Sequence, residues 1–344
     1  VKSKIIEIDK NFLPVDEKVS MDIIFDYFSD QEIEIEETNA HYRLRITRSD
    51  FLYCENMENS LKGLGINKKK VKDFRIVEQN SIFCLLESWI PYGWSKFIAE
   101  NSKLTDNLTI IHLDDHADLM SPRISVNNGK WKDMLTGDEV SFSEPESIKK
   151  AIQSGAITIG SMMTPLIHYI KNVNLFHFKQ NVDSISRYIE KTTELDSLFC
   201  LGKKRLAVKL VTRPKNLRER NNTYLRTSRL SELIENIKPN TDIFLHIDMD
   251  FFNNRFNGST DWRIFAAKNN LNMDKQKEIM DDLCRQIFEA GLGSRIKHVS
   301  IGISPSFYPC EYWKEGVSYL LCRLHSVGVK VGELMKKLKL NTDS

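Results

Sequence analysis

The chain has 344 residues, of which 41% are hydrophobic and 28% charged, with a formal net charge of +2. It is long enough for one large α/β domain or two small ones, and its composition is that of a globular protein. The near-neutral balance excludes a global field for nucleic acid or a membrane surface, and no apolar run approaches the roughly 20 residues of a membrane span. The N-terminal residues lack a signal-peptide core. Six scattered cysteines form no CxxC pair, which argues against a zinc ribbon and fits reduced thiols in a cytoplasmic protein.

Residues 1–72 read as a small β-rich N-terminal arm or subdomain, and residues 73–344 as the main domain. In the arm, Met21 to Phe28 suits a short helix. The segments 32–36 and 42–46 alternate apolar with charged residues, as half-exposed strands do, with Thr38-Asn39-Ala40 as their turn. The arm is either a structural elaboration or a strand edge on which a polypeptide docks. Lys68-Lys69-Lys70-Val71-Lys72 reads as a solvated linker.

From Phe74 the pattern becomes α/β. Phe74 to Val77 is a short strand, followed by the polar Glu78-Gln79-Asn80-Ser81 and a helix-like segment through Leu85, Leu86 and Trp89. Leu108 to Leu113 is the first strong strand. Residues 120–143 read as a long polar loop of the kind that forms lids or substrate walls. Ser143 and Glu146 form a capping box for a helix with Ile148, Ala151 and Ile152 buried and Gly155 at its end. Strands are expected at 157–160, 174–178 and 206–211, with helices at 164–170 and 229–237. Ile243 to Ile247 is a strand. Asp274 to Ala290 is an amphipathic helix with Ile279, Met280, Leu283, Ile287 and Phe288 on its buried face. Val299 to Ile303 is a late strand, and a helix with Trp313, Val317, Leu320, Leu321 and Leu324 inward follows. Strands alternating with helices imply a largely parallel sheet covered on both faces.

Two strand ends carry the chemistry. The apolar run Ile110-Ile111-His112-Leu113 ends in Asp114-Asp115-His116-Ala117-Asp118, and Ile243-Phe244-Leu245-His246-Ile247 ends in Asp248-Met249-Asp250. In open α/β sheets, sites form beyond the carboxyl ends of the strands. Four carboxylates and an imidazole are costly to bury without a compensating cation. The set exceeds the needs of one tetrahedral zinc and suits two harder cations, with Mn²⁺ fitting oxygen-rich ligation that includes some nitrogen. Two such ions acidify a shared water for attack on an sp² carbon such as a guanidinium, amidine or amide.

The Asp114-x-His116-x-Asp118 and Asp248-x-Asp250 motifs resemble the two signatures of arginases and related ureohydrolases. With His112-Leu113-Asp114, Asp248-Met249-Asp250-Phe251-Phe252, Ile159-Gly160-Ser161, Thr164-Pro165 and Ser304-Pro305, the chain is most similar to the peptide arginase branch, over about residues 74 to 325. The resemblance implies a three-layer α/β/α arginase/deacetylase-like fold and a two-manganese centre. His116 would bind one metal and Asp118 the other, Asp114 and Asp248 would bridge, and Asp250 would join His116. The implied reaction converts an arginine within a precursor peptide to ornithine, releasing urea, with Asp250 orienting the nucleophile or relaying its proton. Glu311 takes the place of a guanidinium-binding glutamate, or else caps the following helix.

The chain departs from the family in three places. The loop after the 74–77 strand has no histidine, which leaves Asn80, or Glu78, to complete one metal position. Residues 119–140 hold no histidine proton shuttle. Met120 replaces the asparagine that reads a free amino acid's carboxylate, as suits a substrate whose carboxylate is already an amide. His112 and His246 either support the metal ligands or simply pack, and His168 and His177 read as packed. The basic stretch of Lys203, Lys204, Arg205, Arg213, Lys215, Arg218, Arg220, Arg226 and Arg229 is a solvated loop or a dock for an acidic leader peptide. Nucleic acid is disfavoured because only Tyr224 offers a stacking ring there. Two rival functions remain: a metal-dependent amidase or deacylase, and a non-catalytic peptide-binding protein with a structural metal.

Overall fold

In the computed structural model, residues 5–28, 32–48, 57–101, 106–196, 198, 203–214, 220–239, 241–258 and 269–339 are described. A twelve-stranded mixed sheet forms the body of the protein, and a three-stranded antiparallel sheet forms the arm.

The arm pairs β1 (Ile5–Asp9) and β2 (Glu32–Glu37) on either side of β3 (His41–Arg48), and α1 (Glu17–Tyr27) packs Ile24 against Ile8, Tyr42 and Leu44. Asp16 caps α1 by accepting from the Val19 N–H. A buried junction fixes the arm to the body. The Tyr27 hydroxyl donates to Asp196 at 2.6 Å, and Arg123 donates to the Tyr27 carbonyl. The arm ends before residue 57, because α2 (Met57–Gly63) and the 3₁₀ turn Lys68–Asp73 place Leu61, Leu64, Ile66 and Val71 in the core of the body. Val71 therefore makes the lysine-rich stretch a packed turn rather than a linker.

Six strands of the body run parallel, in the order β5 (Ser81–Cys84), β15 (Ile296–Gly302), β14 (Asp242–Asp248), β6 (Asn107–Leu113), β10 (Asn172–Phe178) and β13 (Thr223–Thr227). Antiparallel strands extend both edges. β4 (Arg75–Glu78) pairs with β5, while β11 (Ile185–Leu195), β12 (Lys204–Val211), β7 (Ile124–Asn127), β8 (Lys130–Asp133) and β9 (Glu139–Val140) follow β13. Alternation sends Ile111, Leu113, Ile243, Leu245 and Ile247 to one face, where α6 (Leu230–Glu235), α7 (Met273–Glu289), α8 (Trp313–Ser326) and α9 (Gly332–Lys337) lie. Leu108, Ile110 and Phe244 face α3 (Ile90–Glu100), α4 (Pro145–Ser154) and α5 (Met163–Tyr169) on the other. Two helical layers thus enclose the sheet. Among the described residues, no helix is long and apolar enough to cross a membrane.

Several local expectations change. Residues 81–84, which no expected element covered beyond Ser81, are a strand, so the Glu78–Ser81 link is a hairpin, and the helix-like stretch at 85–89 gives only a 3₁₀ turn at Glu87–Trp89. The expected loop at 120–143 contains β7, β8 and β9. Residues 159–161 form a 3₁₀ turn rather than a strand. Helix α4 has Glu144 at its cap position with no side-chain cap, so Ser143 does not close a capping box, although Gly155 ends the helix at φ 85° as expected. Phe288 is 67% exposed, beyond the buried stripe of α7. In the basic stretch Lys204, Arg205 and Arg226 lie on strands, Arg205 pairs with Glu194 and Arg229 with Glu232, while Lys215 and Arg218 lie outside the described residues.

Candidate metal centre

Strand β6 has two parallel neighbours that come from different directions in the chain. The polypeptide runs from β6 outward through β10 and β13, then returns to place β14 on the other side of β6. This reversal is a topological switch point, where the loops leaving adjacent strands diverge and open a crevice. The strand ends are level: Leu113 pairs with Ile247, Asp248 with Gly302, and Gly302 with Cys84. Asp114 and Asp248 therefore emerge together at the crevice floor.

The sheet's alternation determines what lies beneath them. His112 and Asp114 share a face of β6, and His246 and Asp248 share the same face of β14, with His112 beside His246 in register. Their rings stack with centroids 4.8 Å apart, and the two Nδ1 atoms are 2.7 Å apart. His112 Nε2 donates to the His116 carbonyl at 2.9 Å, which holds the loop that bears the second motif residue. His177 is also packed here, between the Asp114 carbonyl and the Tyr224 hydroxyl.

Above this floor, Asp114, His116 and Asp250 form one group of facing donors, and Glu87, Asp114 and Asp248 form another. Within each group the donor atoms lie within 4.8 Å of one another. Asp114 belongs to both. His116 Nδ1 is 3.0 Å from Asp250 Oδ2 and 3.5 Å from Asp114 Oδ1. Asp250 Oδ1 accepts from the Asp115 N–H, and Asp248 Oδ1 accepts from the Asp250 N–H. Asp118, with φ 50°, has the left-handed backbone that aspartate tolerates better than most residues, and its side chain lines the crevice. Asp115 points elsewhere, toward Lys179 at 2.8 Å and Asn254 at 2.7 Å.

Glu87 was not legible as a ligand when residues 85–89 were read as helix. It stands three residues beyond β5, on the turn Glu87–Trp89 that leads into α3, and is 3% exposed. Its signal was present: Ile82-Phe83-Cys84-Leu85-Leu86-Glu87 is a third apolar strand running into an acid. Gly302 makes room for it, since a Cβ at that position would lie 2.4 Å from Glu87 Cγ.

Two expected site residues lie elsewhere. Asn80 is in the β4–β5 hairpin, at the opposite end of the strands, and it lines a different cavity with His325 and Glu333. The hairpin reverses the chain, so the loop after β4 cannot reach the centre and the segment after β5 does. Glu311, about half exposed, forms an ion pair with Arg255 and does not line the crevice.

The electrostatics favour a cation, which would compete with protons for these carboxylates. Burial, reinforced by neighbouring carboxylates, pushes Glu87, Asp114 and Asp248 well above the usual carboxylate range. Burial raises Asp118 to about 7. For His116, burial opposes the charged form, but the Asp114 and Asp250 carboxylates outweigh it and hold the imidazole up at about 12. Glu87 Oε1, Asp114 Oδ2, Asp118 Oδ2 and Asp250 Oδ2 are buried and have no hydrogen-bond partner. Asp250 Oδ2 has the His116 ring beside it; buried carboxylate oxygens without a hydrogen bond are unfavourable by roughly several kcal/mol, and divalent cations would satisfy them together. The residues present therefore fit a metal centre, with oxygen donors in the majority and His116 as a nitrogen donor.

The crevice above is a cavity of about 660 Å³. Glu87, Asp118 and Asp248 line its floor, and Leu119, Met120, Ile159 and Phe307 line its walls. No lysine or arginine is among the described residues that line it. Asp250 opens instead toward a smaller cavity of about 230 Å³, beside Asp115 and Lys179. Compared with known proteins, the chain matches no family model and no curated protein.

Proposed function

We propose that the protein is a metal-dependent hydrolase that converts arginine side chains within a peptide to ornithine, releasing urea. The observation that carries this reading is the set of buried carboxylate oxygens without a hydrogen bond at the switch point, opening into a cavity with apolar walls and, among the described residues, no lysine or arginine in its lining. Glu87, Asp114, Asp118, His116, Asp248 and Asp250 would hold two divalent cations, with Mn²⁺ suited to the donor set. Such ions, when bound, supply a nucleophile at neutral pH and polarise the scissile group.

The residues of the chain divide the remaining work. The walls formed by Leu119, Met120, Ile159 and Phe307 accept the methylenes of an arginine side chain and exclude water around them. The acidic floor attracts the guanidinium. A free amino acid would bring a carboxylate into a cavity whose described lining holds no lysine or arginine to meet it, whereas a peptide brings an amide. Water adds to the guanidinium carbon, and the bond from that carbon to the side-chain nitrogen breaks. Both protons of the water end on that nitrogen, giving the ammonium of ornithine and neutral urea. Asp250 Oδ2, 3.0 Å from His116 Nδ1, is the atom assigned to relay them in turn.

A second reading, hydrolysis of a side-chain amide such as an acylated lysine, is favoured by one observation. Glu311 is occupied by Arg255, so a guanidinium has no dedicated partner outside the acidic floor. One assay separates the two readings. The Mn²⁺-loaded protein is incubated with free arginine, arginine-containing peptides and acyl-lysine peptides, and urea, carboxylate release and peptide mass are followed. Urea with the mass change from arginine to ornithine in peptides alone supports the first reading. Carboxylate release without urea supports the second. Metal binding with neither product supports a non-catalytic peptide-binding protein.

A further inference from the structure

His246 sits under the metal centre, completely buried, and the motif chemistry does not use it. Its state follows from its neighbours. A carbonyl oxygen only accepts, so His112 Nε2, which faces the His116 carbonyl at 2.9 Å, carries a hydrogen. One hydrogen must lie between His112 Nδ1 and His246 Nδ1, which are 2.7 Å apart. If it belonged to His112, that ring would be an imidazolium without exposure, stacked on another imidazole and unfavourable there. The hydrogen therefore belongs to His246 Nδ1. His246 Nε2 is left as a bare lone pair.

That lone pair has no hydrogen-bond partner. The nearest acceptor is Glu87 Oε1 at 3.0 Å, which is itself partnerless. The two atoms are close but not aligned for a hydrogen bond. This placement is natural for two donors on one ion: with bonds of roughly 2.1 Å at a right angle, donor atoms stand about 3 Å apart and do not point at each other.

We propose that His246 Nε2 is a ligand of the inner metal position, beside Glu87, Asp114 and Asp248, which gives this centre a second imidazole from the strand floor. The inference rests on the metal-dependent reading above and makes it more specific. His112 is then the positioning residue: its Nδ1 accepts the His246 N–H, fixes the tautomer and turns Nε2 toward the ion. A second nitrogen donor biases the inner position toward Mn²⁺, Fe²⁺, Co²⁺ or Zn²⁺ and away from Mg²⁺ or Ca²⁺.

The test counts histidine nitrogens on the bound ion in the intact protein. The chain is labelled with ¹⁵N-histidine and loaded with Mn²⁺, and electron spin echo envelope modulation is recorded. The inference predicts coupling to two histidine nitrogens. The His246→Leu variant should keep one coupling, lower Mn²⁺ affinity by about 100-fold or more, and bind Mg²⁺ about as well as the wild type does. Circular dichroism checks that it folds. A His298→Leu control, at a buried histidine away from the centre, should keep both couplings. A single coupling in the wild type would overturn the inference and leave the metal reading intact. No bound Mn²⁺ at all would overturn both.

Discussion

Glu87 and His298 show how much the surroundings decide what a buried titratable side chain does. Glu87 Oε1 is orphaned beside other carboxylates. Glu87→Gln keeps the shape and removes the charge, so it should weaken divalent-metal affinity by at least about 100-fold, measured by calorimetric titration. Unchanged affinity would remove Glu87 from the centre. His298 lies between the Phe97 and Phe244 rings, and burial lowers it to about 3. Below about pH 6.5 the unfolded chain takes up a proton that the folded chain refuses until about pH 3. Stability therefore falls as pH drops through that window, by up to about 1.4 kcal/mol per pH unit from this side chain. His298→Leu should show a shallower fall in urea midpoint between pH 6.5 and pH 5, and an unchanged slope would contradict the assignment. At this scale the five motif residues Asp114, His116, Asp118, Asp248 and Asp250 were legible because each follows an apolar strand. Asn80 and Glu311 were not, because loop direction and side-chain pairing are tertiary facts.

The centre is assembled from the ends of β5, β6 and β14. β6 and β14 were legible from uninterrupted apolar runs, but β5 was not. It has only four residues, and its apolar run continues through Leu85 and Leu86 toward Trp89, so periodicity alone could not separate strand from helix. The β7–β8 hairpin did carry a signal: Asn128 and Gly129 form its two-residue turn with φ of 49° and 77°, the positive values that an Asn-Gly hairpin turn requires. At the end of β15, Gly302 has a steric role. Gly302→Ala would drive a methyl into Glu87, which should destabilise the protein by about 1–3 kcal/mol and weaken metal binding together. A variant with wild-type metal affinity would show that Glu87 need not lie over β15.

For the whole molecule, the centre sets function against stability. Several buried carboxylates converge there, so their desolvation and mutual repulsion are destabilising in the metal-free protein, and Asp248→Asn lessens both. Metal-free Asp248→Asn should melt above metal-free wild type, and the order should reverse at saturating Mn²⁺, where an ion at 100 times its dissociation constant adds about 2.7 kcal/mol. Thermal melts of both proteins with and without metal measure this, and a wild type that melts higher in both conditions would contradict it. The alternation of strands and helices was legible as α/β, and the mixed sheet enclosed by helices agrees with it. The antiparallel extension through β11, β12 and β7 was not legible, because it joins segments far apart in the chain. Equilibrium dialysis against Mn²⁺, with bound metal counted per chain for wild type and for Asp114→Asn, tests the two-metal centre most directly. Among the described residues, Asp114 is the one common to the acidic groups on both sides of the centre. The wild type should bind two ions and Asp114→Asn should lose both; no bound ion on the wild type, or equal binding by the variant, would refute the two-metal centre.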